Sequence, residues 1–81
     1  MHNRTFIVTA QWDEEARVWV AQSDDVPGLV TEAESESKLI EKLRSMVPEL
    51  LDLNKVRIEP GPFDVLLQFR REARISLAAA A

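Results

Sequence analysis

Few side chains in this sequence are of a type that could carry a reaction. Histidine occurs once, as His2, and a general base needs a fixed place relative to its substrate, which a chain terminus does not give. The serines at 23, 35, 37, 45 and 76 lie outside any nucleophile-elbow motif, and no internal histidine is present to activate one. With Gly28 and Gly61 as the only glycines there is no phosphate-cradling loop. Cysteine is absent, which removes disulfides and thiolate metal sites. Two acidic pairs remain, Asp13/Glu14 and Asp24/Asp25, of the kind that holds a hard cation such as Mg²⁺, together with a basic group, Arg70, Arg71 and Arg74. A two-metal nuclease needs carboxylates aimed from rigid elements at one point, and Thr5 to Trp12, the first strand-like segment, contains none. The acidic pairs fall in loops or at strand ends, where carboxylates are ordinarily solvated. Arginines on an exposed strand commonly guard an edge, and no aromatic residues interleave them as in single-strand binders. The expectation is a protein that is not an enzyme, with no metal and no cofactor.

The charge is more informative. The net charge is −4, and from Asp13 to Glu36 eight acids (Asp13, Glu14, Glu15, Asp24, Asp25, Glu32, Glu34, Glu36) stand against one base, Arg17. Such a surface repels phosphate backbones, so direct nucleic-acid binding is not expected. It attracts a basic protein and raises the encounter rate. No apolar run approaches the roughly 20 residues that span a bilayer, and the N-terminal residues carry no signal-peptide pattern. A cytoplasmic protein without membrane contact is expected.

The elements that position these residues follow from periodicity. At 81 residues the chain is one domain, with a core from about residue 4 to 77 and an Ala-rich C-terminal tail expected to fray. Alternation predicts a strand from Thr5 to Trp12 and a second from Arg17 to Ser23, joined by a polar hairpin. Placing Trp12 opposite Val18 gathers Phe6, Val8, Ala10, Trp12, Val18 and Val20 on one face, and leaves Ile7, Thr9, Gln11, Trp19, Ala21 and Ser23 on the other. Val26-Pro27-Gly28-Leu29 is a turn, with proline fixing φ at its second position and glycine taking a positive φ at its third. A short strand follows, from about Leu29 to Ala33. Ser35 is the expected N-cap, flanked by Glu34 and Glu36 near the positive end of the helix dipole. Leu39, Ile40, Leu43, Met46, Val47, Leu50 and Leu51 form one apolar stripe. Pro48 interrupts it, so a kink or a second short helix is expected there. Pro60-Gly61-Pro62 is a turn, and a last strand begins near Phe63 with alternation extending to Ile75.

The fold class expected is α+β: a two-layer β-β-β-α-β domain with a small antiparallel sheet and one helix on one face. The other face, carrying Ile7 and Trp19, is left bare. An exposed indole on a sheet usually finds a partner, so a homo-oligomer, most simply a two-fold dimer, is expected.

The ordered set Val18-Trp19-Val20-Ala21, Ser23-Asp24-Asp25-Val26-Pro27-Gly28-Leu29-Val30-Thr31-Glu32-Ala33-Glu34-Ser35 and the helix from Glu36 resembles the HicB-like antitoxin superfamily, in particular a stand-alone branch. The likeness spans Phe6 to Leu43. It implies a β-β-β-α-β fold like a trimmed ribonuclease H domain without its active site. It also implies a non-catalytic module that neutralises a small basic RNA-cleaving toxin by covering it. Three departures stand out. Leu29 follows Pro-Gly where cysteine or a similar small apolar residue is frequent, Ala33 replaces a common glycine, and Ala81 leaves no room for the DNA-binding appendage many members carry. The surface expected to meet a toxin or a second copy comprises Ile7, Trp19, Asp24 and Asp25, with Pro27, Gly28 and Ser35 as the turn-and-cap signature. The alternative is a self-associating structural or ligand-binding domain without a toxin. A metal-dependent nuclease is a third reading.

Overall fold

The computed structural model describes residues 4–80, so His2 lies outside the described residues. Four strands and one helix follow the order β1 (Thr5–Asp13), β2 (Val18–Gln22), β3 (Val30–Ala33), α1 (Glu36–Leu53) and β4 (Asp64–Arg70). They form one sheet in the order β3-β2-β1-β4, with α1 on one face. The small α+β, β-β-β-α-β layout expected from the pattern is the one observed.

The sheet is mixed rather than antiparallel. β1 pairs antiparallel with β2, and β2 with β3, but β4 runs parallel to β1. The reason is topological. Two antiparallel pairings make β3 run in the direction of β1, and α1 then carries the chain across the sheet to its far edge. A helical crossover delivers the next strand in the parallel sense.

The hairpin register differs by one residue from the one periodicity suggested. Trp12 pairs with Trp19 and Asp13 with Val18. Hydrogen bonds close the connecting loop, from the Arg17 N–H to the Asp13 carbonyl (2.7 Å) and from the Ala16 N–H to Asp13 Oδ1 (3.0 Å). Arg17 itself takes a left-handed φ of 60°, so it belongs to the loop and β2 starts one residue later. Because side chains alternate, this slip turns the whole of β2 over. Trp19 and Ala21 enter the core, while Val18 and Val20 face outward. Trp19 is therefore not on the bare face: it is 7% exposed and packs edge-on against Trp12 (centroids 5.3 Å) and Phe69 (4.9 Å).

The core joins the inner faces of β1 and β2 (Phe6, Val8, Ala10, Trp19, Ala21) to Leu39, Leu43, Val47 and Leu51 of α1, with Val26 and Leu29 from the turn segment and Ala33 from β3. The helix begins as expected, with Ser35 extended and its hydroxyl accepting from the Lys38 N–H. It runs through Pro48 as one element, not two. Arg44 and Pro48 are both exposed, so the carbonyl that loses its partner can be hydrated. At its C-terminus the Val56 N–H reaches the Leu51 carbonyl and the Lys55 N–H that of Asp52. This is a Schellman closure with Lys55 at the left-handed position (φ 53°) normally held by glycine.

β4 ends at Arg70, short of the extension to Ile75 that the alternation suggested. Residues 71–80 are exposed and without secondary structure.

Candidate interaction surface on the open sheet face

The face of the sheet away from α1 is built by simple alternation. β1 contributes Ile7, Thr9 and Gln11, and β2 contributes Val18, Val20 and Gln22. β3 adds Val30 and Glu32, and β4 adds Leu66, Gln68 and Arg70. No other element among the described residues lies over it. Ile7 and Leu66 are adjacent across the β1–β4 ladder and are 43% and 50% exposed.

One end of this face is shaped by the segment that follows β2. The Ser23 hydroxyl donates to the Ile7 carbonyl (2.6 Å) and accepts from the N–H groups of Asp25 and Val26. Asp25 Oδ2 accepts the Ile7 N–H at 2.7 Å. Two side chains thus replace a strand where β2 has ended, satisfying both backbone groups of Ile7. Asp25 is held inward by this task and Asp24 is left exposed. The Pro27-Gly28 turn anchors the segment. Gly28 has φ 78° and the Leu29 N–H bonds the Val26 carbonyl (3.2 Å), matching a type II turn. Asn54 at the end of α1 donates its side-chain amide to the carbonyls of Pro27 and Leu50, so helix and turn are tied together.

The result is a concave surface of about 600 Å³ lined by Ile7, Thr9, Gln22, Asp24, Asp25, Gly28, Val30 and Arg70, among others. Of the residues expected to meet a partner, it brings together Ile7, Asp24 and Asp25, and Gly28 of the turn signature lies beside them. Trp19 is excluded, and Ser35 lies elsewhere as a helix cap. Sequence reasoning missed Val18 and Val20, which face outward only with the register that Arg17 imposes, and Val30 and Glu32, whose facing follows from the pairing of β3 with β2. At the far end of β1 a second depression of about 520 Å³ is bordered by Gln11, Asp13, Glu14 and Glu15. There Glu14 accepts from the Trp12 indole N–H (2.6 Å) and pairs with Arg17 (3.1 Å).

The two acidic pairs are about 20 Å apart along the strand, at 3.3 Å per residue, and cannot share a cation. No cluster of His, Cys, Asp or Glu suited to a metal exists among the described residues. The three arginines also separate. Arg70 lies on the open face, Arg71 stacks over Trp12 (5.1 Å to the ring centroid), and Arg74 is in the exposed tail. No helix among the described residues is long and apolar enough to cross a membrane.

Between α1 and β4 on the other face lies an apolar groove of about 400 Å³, lined by Ile40, Leu43, Arg44, Val47, Pro48, Phe63, Val65 and Leu67. Nothing in the helical stripe announced it. It exists because α1 packs toward β2 and β3 and leaves the β4 side only half covered.

Comparison with curated proteins gives no match. Among solved structures the chain is similar to the hypothetical protein TTHA1013 from the extremely thermophilic bacterium Thermus thermophilus. The two are 49% identical, with a TM-score of 0.71 over 91% of this chain and 100% of that one. The family described as a domain of unknown function, DUF1902, matches residues 5–78, and the chain belongs to that family.

Proposed function

We propose that this protein is a non-catalytic interaction module of the HicB antitoxin type, and that its open sheet face covers a small basic RNA-cleaving protein. The observation that carries this reading is the composition of that face. An apolar and amide-rich centre is bordered by carboxylates at both ends, with Arg70 at the β4 margin, and Asp24, Glu15 and Glu32 have no ion-pair partner among the described residues. An interface core depleted of charge with a charged rim is the usual anatomy of a protein-binding patch. The sign of the rim selects a cationic partner and speeds its approach. Occlusion needs no reactive group, in keeping with the side-chain inventory.

Affinity capture from the source cells at low salt tests the idea. A short, basic protein should be retained and released as salt rises. Its RNA cleavage should stop when the 81-residue chain is added in equal amount, and Asp24→Lys with Glu32→Lys should relieve that inhibition. Recovery of no basic ribonuclease, or inhibition indifferent to both charge reversals, refutes the reading. Self-association without a toxin is the second reading, favoured by the adjacent exposed Ile7 and Leu66. It requires Ile7→Asp to dissociate an oligomer.

A further inference from the structure

The C-terminal segment has the features of a strand without a partner. Ala73, Ile75 and Leu77 continue the alternation of Val65, Leu67 and Phe69, yet Ile75 and Leu77 are 76% and 87% exposed. The described chain measures 64 × 26 × 20 Å. An 18-residue helix is only about 27 Å long, whereas ten extended residues add up to about 35 Å. The long dimension therefore contains the tail, standing away from the body.

Returning along its own β4 would require a tight turn just after Arg70. The sequence Arg71-Glu72-Ala73-Arg74-Ile75-Ser76-Leu77 offers no Gly, Pro, Asn or Asp to make one. Arg71, laid over Trp12, holds the exit. Meanwhile β4 is an edge strand with an unpaired side, and the groove beside it exposes Ile40, Phe63, Val65 and Leu67.

We infer that residues 72–78 of one copy add antiparallel to the β4 edge of a second copy and fill its α1–β4 groove, in a two-fold exchange of arms. The register follows from parity and charge. Residues directly opposite in an antiparallel pair share a face. Centring the two-fold on Arg71 puts Ile75 opposite Leu67, Leu77 opposite Val65 and Ala73 opposite Phe69, all toward the groove. On the open face the same register sets Glu72 beside Arg70 of the other copy, an opposite-charge cross-strand pair. The arm matches β4, itself Asp64–Arg70, in length. Arg71 meets its own symmetry mate, a repulsion moderated by each guanidinium lying on its Trp12 ring. The exchange covers an edge that would otherwise invite disordered association. It is independent of the occlusion reading, since it touches the concave end of the open face only at Arg70 and leaves Ile7, Asp24 and Asp25 free.

The sequence has no cysteine, so engineered thiols report cleanly. On mild oxidation the double variant Ile75→Cys, Leu67→Cys of the full chain should form a covalent dimer. A control pair with one thiol on each face, Ile75→Cys with Gln68→Cys, should not. Sedimentation should show a dimer for the parent chain at about 10 μM, weakened about a hundredfold by Ile75→Asp with Leu77→Asp, since charges then enter an apolar groove. The helical circular dichroism of that variant should be kept, because Ile75 and Leu77 are both exposed in the single copy and the body folds without them. A monomeric parent chain, a dimer indifferent to the two aspartates, or equal cross-linking of test and control pairs overturns the inference.

Discussion

Replacing Trp19 by alanine tests the inner side of the sheet directly. The indole is 7% exposed and meets Trp12 and Phe69 edge-to-face at 5.3 and 4.9 Å. Truncating a buried tryptophan costs about 3–5 kcal/mol through lost transfer energy and the cavity left behind, of which each aromatic pair supplies about 0.5–1.5 kcal/mol. A domain of this length is stable by only about 4–12 kcal/mol. Trp19→Ala therefore removes a large share of the total, and Trp19→Leu, which fills part of the space, is the variant to measure beside it. Val20→Ala is the companion. It lies on the open face, half covered, and should cost about 1 kcal/mol or less. Urea unfolding followed by far-ultraviolet circular dichroism gives both numbers without relying on indole fluorescence. The opposite register, with Val20 inside and Trp19 bare, reverses the order. If Val20→Ala proves more damaging than Trp19→Ala, the pairing of Trp12 with Trp19 is wrong.

Lys55→Gly should stabilise the fold by about 0.5–1 kcal/mol, because glycine accepts φ 53° without the penalty a Cβ brings, less its extra unfolded-state entropy; thermal melting should rise by several degrees, while Lys55→Ala should give no gain. Ser35→Ala should cost about 1 kcal/mol in chemical denaturation by freeing the Lys38 N–H. Asp25→Ala should cost about 1.5–3 kcal/mol through the lost charge-assisted bond to Ile7, while Asp24→Ala, at an exposed position, should leave unfolding within about 0.5 kcal/mol of the parent. Equal effects of the two aspartate changes would show that only charge, and not the Ile7 bond, matters there.

Local chemistry was legible where single residues dictate conformation. The Pro27-Gly28 turn and the Ser35 cap sit where their side chains or φ preferences require, and the stripe from Leu39 to Leu51 faces the sheet. Facing was harder. Val18-Trp19-Val20-Ala21 offers an apolar residue at every position, so alternation cannot say which pair is inside. A loop closed by Arg17 in a conformation more typical of glycine or asparagine settles it, and no composition rule anticipates that. The direction of β4 was within reach of chain geometry, since a helix linking two edges of a sheet returns the strand parallel. Alternation alone carried no such information. Past Arg70 the same alternation continues, but a strand is defined by a neighbour, and among the described residues of one copy none is present. The candidate surface shared this division. Asp24 and Asp25 were recognisable as loop carboxylates, whereas the anchoring of Asp25 on Ile7 depends on a contact between distant segments.

The parallel ladder between the first and last strands also bears on how the chain is made. Thr5 waits for Asp64, and Phe6 for Val65. At about 5–20 residues per second of synthesis, the opening segment stays unmatched on one side for about 3–12 s. During that interval Thr5 to Trp12, uncharged and free of proline, is the kind of stretch that sticks to its own kind. The hairpin with β2, quickly formed because it is local, is the only partner available to the nascent strand before α1 has emerged, and Arg17 at its corner thereby guards solubility during birth as well as register at maturity.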